Sequence, residues 1–196
     1  MPSYLSVAVI MGSARYGRRC DAVAQWAAHG LDSDPRMVVD MIDPRALPLS
    51  LNDQPLPKQA WHNLESRLER ADAFVVVTPE YNHGYPAALK QLIDAVRYPW
   101  RAKPAAFVSY GGRSGGIRAI EQLRLVFAEL HTFTLAESVD IAHIDRYVDE
   151  HNQFRAAPEL ERALEALTER LHWWGRALRE ARHAAPYDPV SIPRSA

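Results

Sequence analysis

Cysteine, glycine and long apolar runs are scarce in this chain of 196 residues. Cys20 is the only cysteine, so an intrachain disulfide is impossible and a cytoplasmic location is expected. No apolar run reaches the roughly 18 residues of a spanning helix, so we expect no membrane insertion. The formal net charge of −1 gives no overall field that favours nucleic acid. The eight histidines lack the paired spacing of metal ligands, so no metal site is predicted.

Short apolar runs alternate along the chain with longer stretches of helical periodicity. The runs are solidly apolar, which is typical of parallel strands buried on both faces and separated by helices. We therefore predict an α/β fold: a three-layer doubly wound domain whose five-stranded parallel sheet has the flavodoxin-like order 2-1-3-4-5. The predicted strands are 6–11, 37–42, 73–77, 105–110 and 133–139, and the predicted helices are 19–31, 58–71, one that begins at Pro86, 117–130 and 158–182.

The remaining segments are predicted to be less regular. A single domain is expected over 1–183, followed by a loose, proline-containing tail over 184–196. The proline-rich stretch 43–57 is predicted to be an irregular loop, and 140–157 an exposed connection. The last helix carries an apolar seam at alternating four- and three-residue steps, which favours packing on the sheet over a coiled-coil partner.

The nine glycines are concentrated in three segments that follow the first, third and fourth predicted strands. Only Gly30 and Gly175 lie elsewhere. In a doubly wound sheet, the carboxyl ends of these three strands form the crevice in which ligands bind. Glycine exposes backbone N–H groups to a ligand and tolerates positive φ. The clustering therefore favours a binding crevice over tight turns alone.

The first glycine segment, GSARYGRRC (12–20), indicates an anion site. It enters a helix, where Ser13 can cap and free N–H groups attract an anion. Arg15, Arg18 and Arg19 add guanidinium groups suited to phosphate oxygens. No Gly-Lys-Ser/Thr follows, so the segment is not a Walker loop, and it does not match G-x-G-x-x-G. A solvated basic helix start is the alternative interpretation.

The second glycine segment, TPEYNHGYPAALK (78–90), is unusually stiff and aromatic for a strand-to-helix connection. Pro79 and Pro86 bracket it, and Gly84 is expected to permit the tight turn. Glu80 is interpreted as a residue that fixes the loop, in preference to a general base. The neighbouring His83 and Tyr85 are left open between substrate contacts and ordinary surface residues.

The third glycine segment, SYGGRSGGIR (109–118), carries two glycine pairs. Such a loop can lay several N–H groups along the polar edge of a flat ring, with Tyr110 as an aromatic wall. A flexible connection is the alternative.

Together the three segments resemble the NADPH-dependent FMN reductase family of flavodoxin-like proteins, which includes quinone, azo and chromate reductases. The family pattern is G-S-x-R, then T-P-E-Y-N-x-G-x-P-x-x-L-K-x-x-x-D, then a Ser-x-Gly-Gly loop. This chain has the three motifs at 12–15, 78–94 and 109–116, and the resemblance covers about residues 4–139. It implies FMN as cofactor, NADPH or NADH as hydride donor, a small-molecule electron acceptor and a homodimer or tetramer.

The resemblance also implies which residues bind the cofactor. Cys20 and Asp21 depart from the asparagine and arginine of many relatives, so the phosphate contacts are expected to depend more on arginine. No side chain is predicted to be catalytic; the N–H groups of Gly111 and Gly112 are expected to stabilise negative charge on the reduced flavin. The implied residues are Ser13, Arg15, Arg18 and Arg19 at the phosphate, Pro79, Glu80, Tyr81 and Asn82 beside the isoalloxazine and ribityl chain, and Ser109, Tyr110, Gly111 and Gly112 at the pyrimidine edge.

Three functions are consistent with these residues. The preferred one is an FMN-dependent NAD(P)H oxidoreductase that passes two electrons to quinones or similar acceptors by a ping-pong mechanism. The others are a flavin-bound sensor or partner-binding protein with slow turnover, and a phosphate-ligand domain without redox chemistry. In a dimer, Tyr98, Trp100 and the 43–57 loop are expected to border the partner, because Tyr98-Pro99-Trp100 is interpreted as an exposed aromatic patch.

Overall fold

Five parallel strands form one sheet in the computed structural model, which describes residues 3–49 and 56–187. The strands are β1 Leu5–Met11, β2 Met37–Ile42, β3 Ala73–Pro79, β4 Pro104–Tyr110 and β5 Phe133–Ile141. Their order is β2-β1-β3-β4-β5, and every neighbouring pair is parallel. The predicted α/β fold and strand order are therefore confirmed.

Five helices cover both faces of the sheet. They are α1 Cys20–Asp32, α2 Lys58–Arg70, α3 Ala87–Asp94, α4 Ile117–Glu129 and α5 Pro158–Ala184. Alternate residues of a strand point to opposite faces, so Val7 and Val9 pack with α1 and α5, whereas Ala8 and Ile10 pack with α2, α3 and α4. The central strands β1, β3 and β4 are almost completely buried, and the edge strands β2 and β5 are partly exposed. The predicted burial on both faces thus holds for the three central strands.

The long helix α5 packs on the sheet as its apolar seam predicts. Leu160, Leu164, Leu167 and Leu171 are buried. A Cβ atom at Gly175 would lie 2.7 Å from Leu5 Cδ1, so the helix approaches β1 closely at this glycine. Of the predicted tail, 188–196 lie outside the described residues.

Two connecting segments differ from the predictions. The 43–57 stretch contains a short 3-10 helix at Pro44–Ala46, and its residues 50–55 lie outside the described ranges. The prediction of an exposed connection over 140–157 is wrong in part. The strand β5 continues to Ile141, and a 3-10 helix follows at Ile144–Arg146. Ile144 is buried against the core, so this connection is built into the domain.

The predicted exposed aromatic patch around Trp100 is also wrong. Trp100 is fully buried, and its indole N–H lies 2.8 Å from the carbonyl oxygen of Val96. Its ring packs on Phe74 and Phe127, with centroids 4.8 and 5.6 Å away. Trp100 lies in the short 3-10 helix Tyr98–Trp100. This helix is too short to be predicted from the periodicity of apolar residues. Trp100 is therefore a core residue and is not available to a partner subunit.

Within the described ranges, no helix combines the length and the apolar character that crossing a membrane requires.

A buried lysine lies beneath the C-terminal end of α2. The Nζ atom of Lys103 donates hydrogen bonds to the carbonyl oxygens of Leu68 at 2.7 Å and Glu69 at 2.9 Å. Burial, together with the nearby charge of Arg182, lowers the pKa of Lys103 to about 7. Both hydrogen bonds can be donated by the neutral amine, so this lysine releases its proton in the folded protein near neutral pH.

We expect the stability difference between the wild type and a Lys103→Met variant to change with pH. Between about pH 7 and pH 9, the unfolded lysine, with a pKa of about 10.4, keeps a proton that the folded one releases. Higher pH therefore increases the free energy of unfolding of the wild type by on the order of 2 kcal/mol over this interval, and Lys103→Met lacks this increase. Urea titrations of both proteins across the interval check this. A difference that is constant with pH would contradict it.

Candidate functional site

A cleft of about 610 Å³ opens at the carboxyl end of the sheet, beside the loops that follow β1, β3, β4 and β5. This is the crevice position at which open α/β sheets bind ligands, and its volume lies in the usual range for small-molecule sites. The lining residues are Arg15, Tyr16, Gly17, Arg18, Arg19, Pro79, Glu80, Tyr81, Tyr110, Gly111, Gly112, His143, Ile144, Asp145 and Arg146. The three motifs of the sequence therefore meet at one cleft.

Three of the predicted cofactor-binding residues, Ser13, Asn82 and Ser109, do not line the cleft. Ser13 is fully buried, and its hydroxyl lies 2.8 Å from Tyr81 Oη. Ser109 is also fully buried, with its hydroxyl 2.7 Å from the carbonyl oxygen of Gly115. The Ser13 hydroxyl thus connects the loop after β1 to the loop after β3, and the Ser109 hydroxyl connects the end of β4 to the third glycine segment. Asn82 is exposed in the loop that follows β3, which we call the elbow.

Arg18 has an internal role that differs from the predicted phosphate contact. Its side chain is only 2% exposed, and its guanidinium reaches Asp21 and Asp43, each at 2.6 Å. It also donates a short hydrogen bond to the carbonyl oxygen of Ser13. Burial acts to lower the pKa of Arg18, but the hydrogen bonds to Asp43 and Asp21 outweigh it and raise that pKa above its ordinary value. Asp21, the departure from the family pattern, is thus the partner of this buried arginine.

The other arginines at the cleft are more accessible. Within the described ranges Arg15 makes no ion pair, and its guanidinium lies 5.9 Å from the ring centroid of Tyr81. Arg19 makes a 3.3 Å ion pair with Asp145 across the cleft. Arg146 is exposed on the opposite side. Because Arg18 is already paired, the guanidinium groups available to a phosphate are those of Arg15, Arg146 and, when its pair opens, Arg19.

The first glycine segment passes tightly over β3 before it enters α1. A Cβ atom at Gly12 would lie 2.9 Å from Thr78 Cβ, so only glycine fits there. Ser13 does not cap α1: the N-cap is Arg19, without a side-chain cap. Cys20 is fully buried, and burial raises the pKa of its thiol, so the sulfur stays protonated and unreactive.

The elbow after β3 is a two-residue hairpin. Tyr81 N–H donates to the carbonyl oxygen of Gly84 at 2.8 Å, and Gly84 N–H donates back at 3.1 Å. The two central residues, Asn82 and His83, have φ of 50° and 67°, as a type I′ turn requires. The prediction that Gly84 supplies the turn is therefore wrong. Gly84 instead leaves room for the side chain of Gln122. A Cβ atom built at Gly84 would lie only 3.2 Å from Gln122 Oε1.

Relieving the backbone strain of the positive φ at His83 should stabilise the protein. We expect His83→Gly to raise the free energy of unfolding by about 0.5–1 kcal/mol, because the left-handed conformation costs an L residue about 1–2 kcal/mol and glycine's greater unfolded-state entropy offsets part of the gain. His83→Ala removes the same imidazole but keeps the positive φ, so it should bring no gain. Urea unfolding of the two variants separates the effects, and an equal gain in both would contradict this account.

Glu80 fixes the elbow to the third glycine segment. Its side chain is 9% exposed and accepts hydrogen bonds from Ser114 Oγ at 3.0 Å and Arg118 Nη1 at 3.0 Å. Burial acts to raise its pKa, but these donors hold the pKa of Glu80 below its ordinary value. The interpretation of Glu80 as a residue that fixes the loop is therefore confirmed.

Among the described residues, the Gly111–Gly112 loop has one backbone N–H group without an acceptor, where two were expected. Gly111 N–H donates to the carbonyl oxygen of Ile141 at 3.1 Å, so the prediction for this group is wrong. Within the described part of the chain, Gly112 N–H donates to no protein acceptor. Gly116, with φ of 94°, closes the turn where a Cβ atom would lie 2.7 Å from Ser109 Cβ. The free donor at the expected ring edge is thus the Gly112 N–H.

Tyr110 contributes only part of its ring to the cleft. The residue is 4% exposed, and burial raises the pKa of its hydroxyl. Among the described residues, that hydroxyl has no hydrogen-bond partner. Tyr110 is therefore mainly a core side chain at the floor of the cleft, more deeply placed than the predicted aromatic wall.

One side of the cleft was missed by sequence reasoning. His143, Ile144, Asp145 and Arg146, which follow β5, line it. The motif-bearing segments end before β5, so no motif marked these residues. The available signal was the predicted strand order, because β5 lies beside β4 and its carboxyl end must reach the same edge of the sheet. Among the described residues, no group of three or more His, Cys, Asp or Glu side chains is placed to hold a metal ion.

Comparison with known proteins gives the family background of this cleft. A family profile described as NADPH-dependent FMN reductase matches residues 5–145. A quinone reductase of Pseudomonas putida is 32% identical over 152 residues, which cover 70% of this chain and 78% of that protein. An NAD(P)H-dependent FMN reductase of Schizosaccharomyces pombe is 38% identical over 122 residues, which cover 56% of this chain and only 60% of that relative's length.

The solved structures show the same fold. A flavoenzyme NAD(P)H:(acceptor) oxidoreductase from Paracoccus denitrificans superimposes with a TM-score of 0.68 at 23% identity. The superposition covers 88% of this chain and 98% of the other.

Proposed function

Because the chain belongs to the NADPH-dependent FMN reductase family, we propose that its cleft binds FMN and that the protein is an FMN-dependent NAD(P)H oxidoreductase. Its acceptor is a quinone or a similar small molecule. The observation that carries the proposal is that the three motif segments line a single cleft at the carboxyl end of the sheet. FMN bound there would supply the hydride and two-electron transfer chemistry, and the protein supplies position and electrostatics.

The residues present fit this cofactor at its phosphate end. The guanidinium of Arg15, which makes no ion pair within the described ranges, lines the side of the cleft where α1 begins, and the exposed Arg146 lines the opposite side. Planar guanidinium groups bind phosphate oxygens through charge-assisted, often bidentate hydrogen bonds. Arg18, paired with Asp21 and Asp43, holds the loop that carries Arg15. We propose that Arg15 binds the phosphate directly and that Arg18 supports it from within.

The ring end is also suited to the cofactor. Pro79, Glu80 and Tyr81 form one wall, and Tyr81 is held by its hydrogen bond with Ser13. On the neighbouring loop, the Gly112 N–H has no acceptor among the residues that the structure describes. A fixed backbone donor beside the pyrimidine edge stabilises negative charge that develops there on reduction. We assign this role to Gly112 alone, since the Gly111 N–H is already used.

The reaction needs no side-chain nucleophile or general acid from this chain, and we name no catalytic residue. We propose that NAD(P)H and the acceptor occupy the open side of the cleft in turn, which is a ping-pong mechanism. Initial rates with NADPH and a soluble quinone varied together test this, and parallel double-reciprocal lines are the expected result. A flavin that is reduced by NADPH but passes its electrons to no quinone would instead indicate a sensor with low turnover.

We further propose a cytoplasmic homodimer or tetramer. The location rests on the single, buried and unreactive cysteine. The oligomeric state rests on the family resemblance and on Tyr16, a 93% exposed aromatic residue at the rim of the cleft that a partner subunit would cover. Sedimentation equilibrium tests the oligomeric state, and a monomer at all concentrations would contradict it.

A further inference from the structure

The last residue of β5 and the segment after it clamp the Gly111–Gly112 loop by three backbone hydrogen bonds. Gly111 N–H donates to the carbonyl oxygen of Ile141 at 3.1 Å, His143 N–H donates to that of Gly112 at 2.8 Å, and Ile144 N–H donates to that of Gly111 at 3.1 Å. Both glycine carbonyl groups and one of the two glycine N–H groups are therefore fixed. The Gly112 N–H is the group that this clamp leaves for a ligand.

One residue of the clamp, His143, has an unusual backbone conformation. This residue has φ of 53° and ψ of 54°, in the left-handed region. The turn lets the consecutive N–H groups of His143 and Ile144 both point back at the glycine loop, after which the 3-10 helix Ile144–Arg146 begins. Left-handed backbone is costly for residues with a Cβ atom and most costly for β-branched ones.

We propose that His143 is a positioning residue for the flavin: its left-handed backbone holds the Gly111–Gly112 loop so that the Gly112 N–H is fixed at the ring edge. The inference rests on the proposed binding of FMN in this cleft. A donor held in place stabilises the reduced, negatively charged flavin without reorganisation, whereas a loose donor does so less well. The role belongs to the backbone of His143, and its imidazole ring is dispensable.

A series of substitutions at His143 separates backbone from side chain. His143→Gly and His143→Asn remove the imidazole and tolerate positive φ, whereas His143→Ala and His143→Val remove it and resist positive φ. Two quantities are measured for each. The first is hydrogen exchange of the amides of residues 143 and 144 in the flavin-free protein. The second is the midpoint potential of bound FMN, which follows the ratio of affinities for reduced and oxidised flavin.

In His143→Val, we expect amide exchange at residues 143 and 144 to be about tenfold faster than in the wild type. We expect the affinity for reduced FMN to fall about tenfold more than that for oxidised FMN, which lowers the two-electron potential by about 30 mV. His143→Ala should give a smaller change of the same sign and serves if the valine variant fails to fold. His143→Gly and His143→Asn should match the wild type within a few-fold.

Equal losses in all four variants would overturn the proposal, since the imidazole would then act directly, and so would unchanged exchange and potential in His143→Val and His143→Ala. If the wild type takes up no FMN, the proposed function fails. The exchange measurement, which needs no flavin, then decides by itself whether His143 holds the loop.

Discussion

Replacing Arg18 by methionine is expected to lower the free energy of unfolding by about 3 kcal/mol, the lower end of the range for breaking a buried ion pair. The guanidinium is almost completely buried and forms ion pairs with both Asp21 and Asp43. Its removal leaves two partly buried carboxylates without their ion-pair partner and takes the guanidinium donor from the carbonyl oxygen of Ser13. Urea unfolding monitored by circular dichroism measures the change.

Arg36→Met is the matched control. Arg36 also contacts two carboxylates, those of Asp34 and Glu169, but its side chain is 41% exposed. Exposed pairs contribute little, so this variant should lose less than about 1 kcal/mol. Equal losses in Arg18→Met and Arg36→Met would contradict the internal role of Arg18.

The effect of Arg18→Met should also diminish in acid. Burial acts to raise the pKa of Asp43, but hydrogen bonds from Arg18 and from the Arg45 N–H hold it below its ordinary value. A carboxylate with a lowered folded pKa stabilises the protein above its unfolded pKa of about 3.9 and loses this contribution as the pH falls further. The stability difference between the wild type and Arg18→Met is therefore expected to shrink below about pH 4.

Replacing Arg15 by alanine is expected to weaken FMN binding by roughly 1.5–3 kcal/mol, the scale of a hydrogen bond to a charged group. Because Arg15 is exposed and makes no ion pair within the described ranges, its removal should leave the stability of the flavin-free protein nearly unchanged. Titration of flavin-free protein with FMN, followed by quenching of flavin fluorescence, measures the affinity.

Two controls sharpen this experiment. Arg162→Ala removes an exposed arginine of α5 that does not line the cleft, so FMN affinity should stay the same. Riboflavin lacks the phosphate, so its affinity should be equal in the wild type and in Arg15→Ala. Unchanged FMN affinity in Arg15→Ala would show that the phosphate is bound elsewhere.

The fold was predictable because its signals are local. Solid apolar runs marked the strands, and the bounds predicted for β2, Met37–Ile42, agree with the structure. The position of the cleft was predictable because glycine-rich segments followed three strands whose carboxyl ends meet at one edge. These inferences need only periodicity, composition and the rules of parallel sheets.

The roles of individual residues were less predictable because they depend on long-range contacts. Arg15 and Arg18 look equivalent in sequence, yet Arg18 is buried because Asp43, at the end of β2, comes to lie beside it. Trp100 is predicted to be exposed from its sequence neighbours, but in the fold Phe74 and Phe127 pack against it. His143 carries no motif at all, and its importance follows from a backbone conformation that sequence does not reveal.

The most direct test of the central claim is the visible absorbance spectrum of protein saturated with FMN, freed of unbound flavin by gel filtration and then mixed with NADPH under nitrogen. We expect FMN to co-elute with the protein in stoichiometric amount and its absorbance band to bleach on addition of NADPH. Protein that elutes without FMN, or bound FMN that NADPH leaves oxidised, would contradict it.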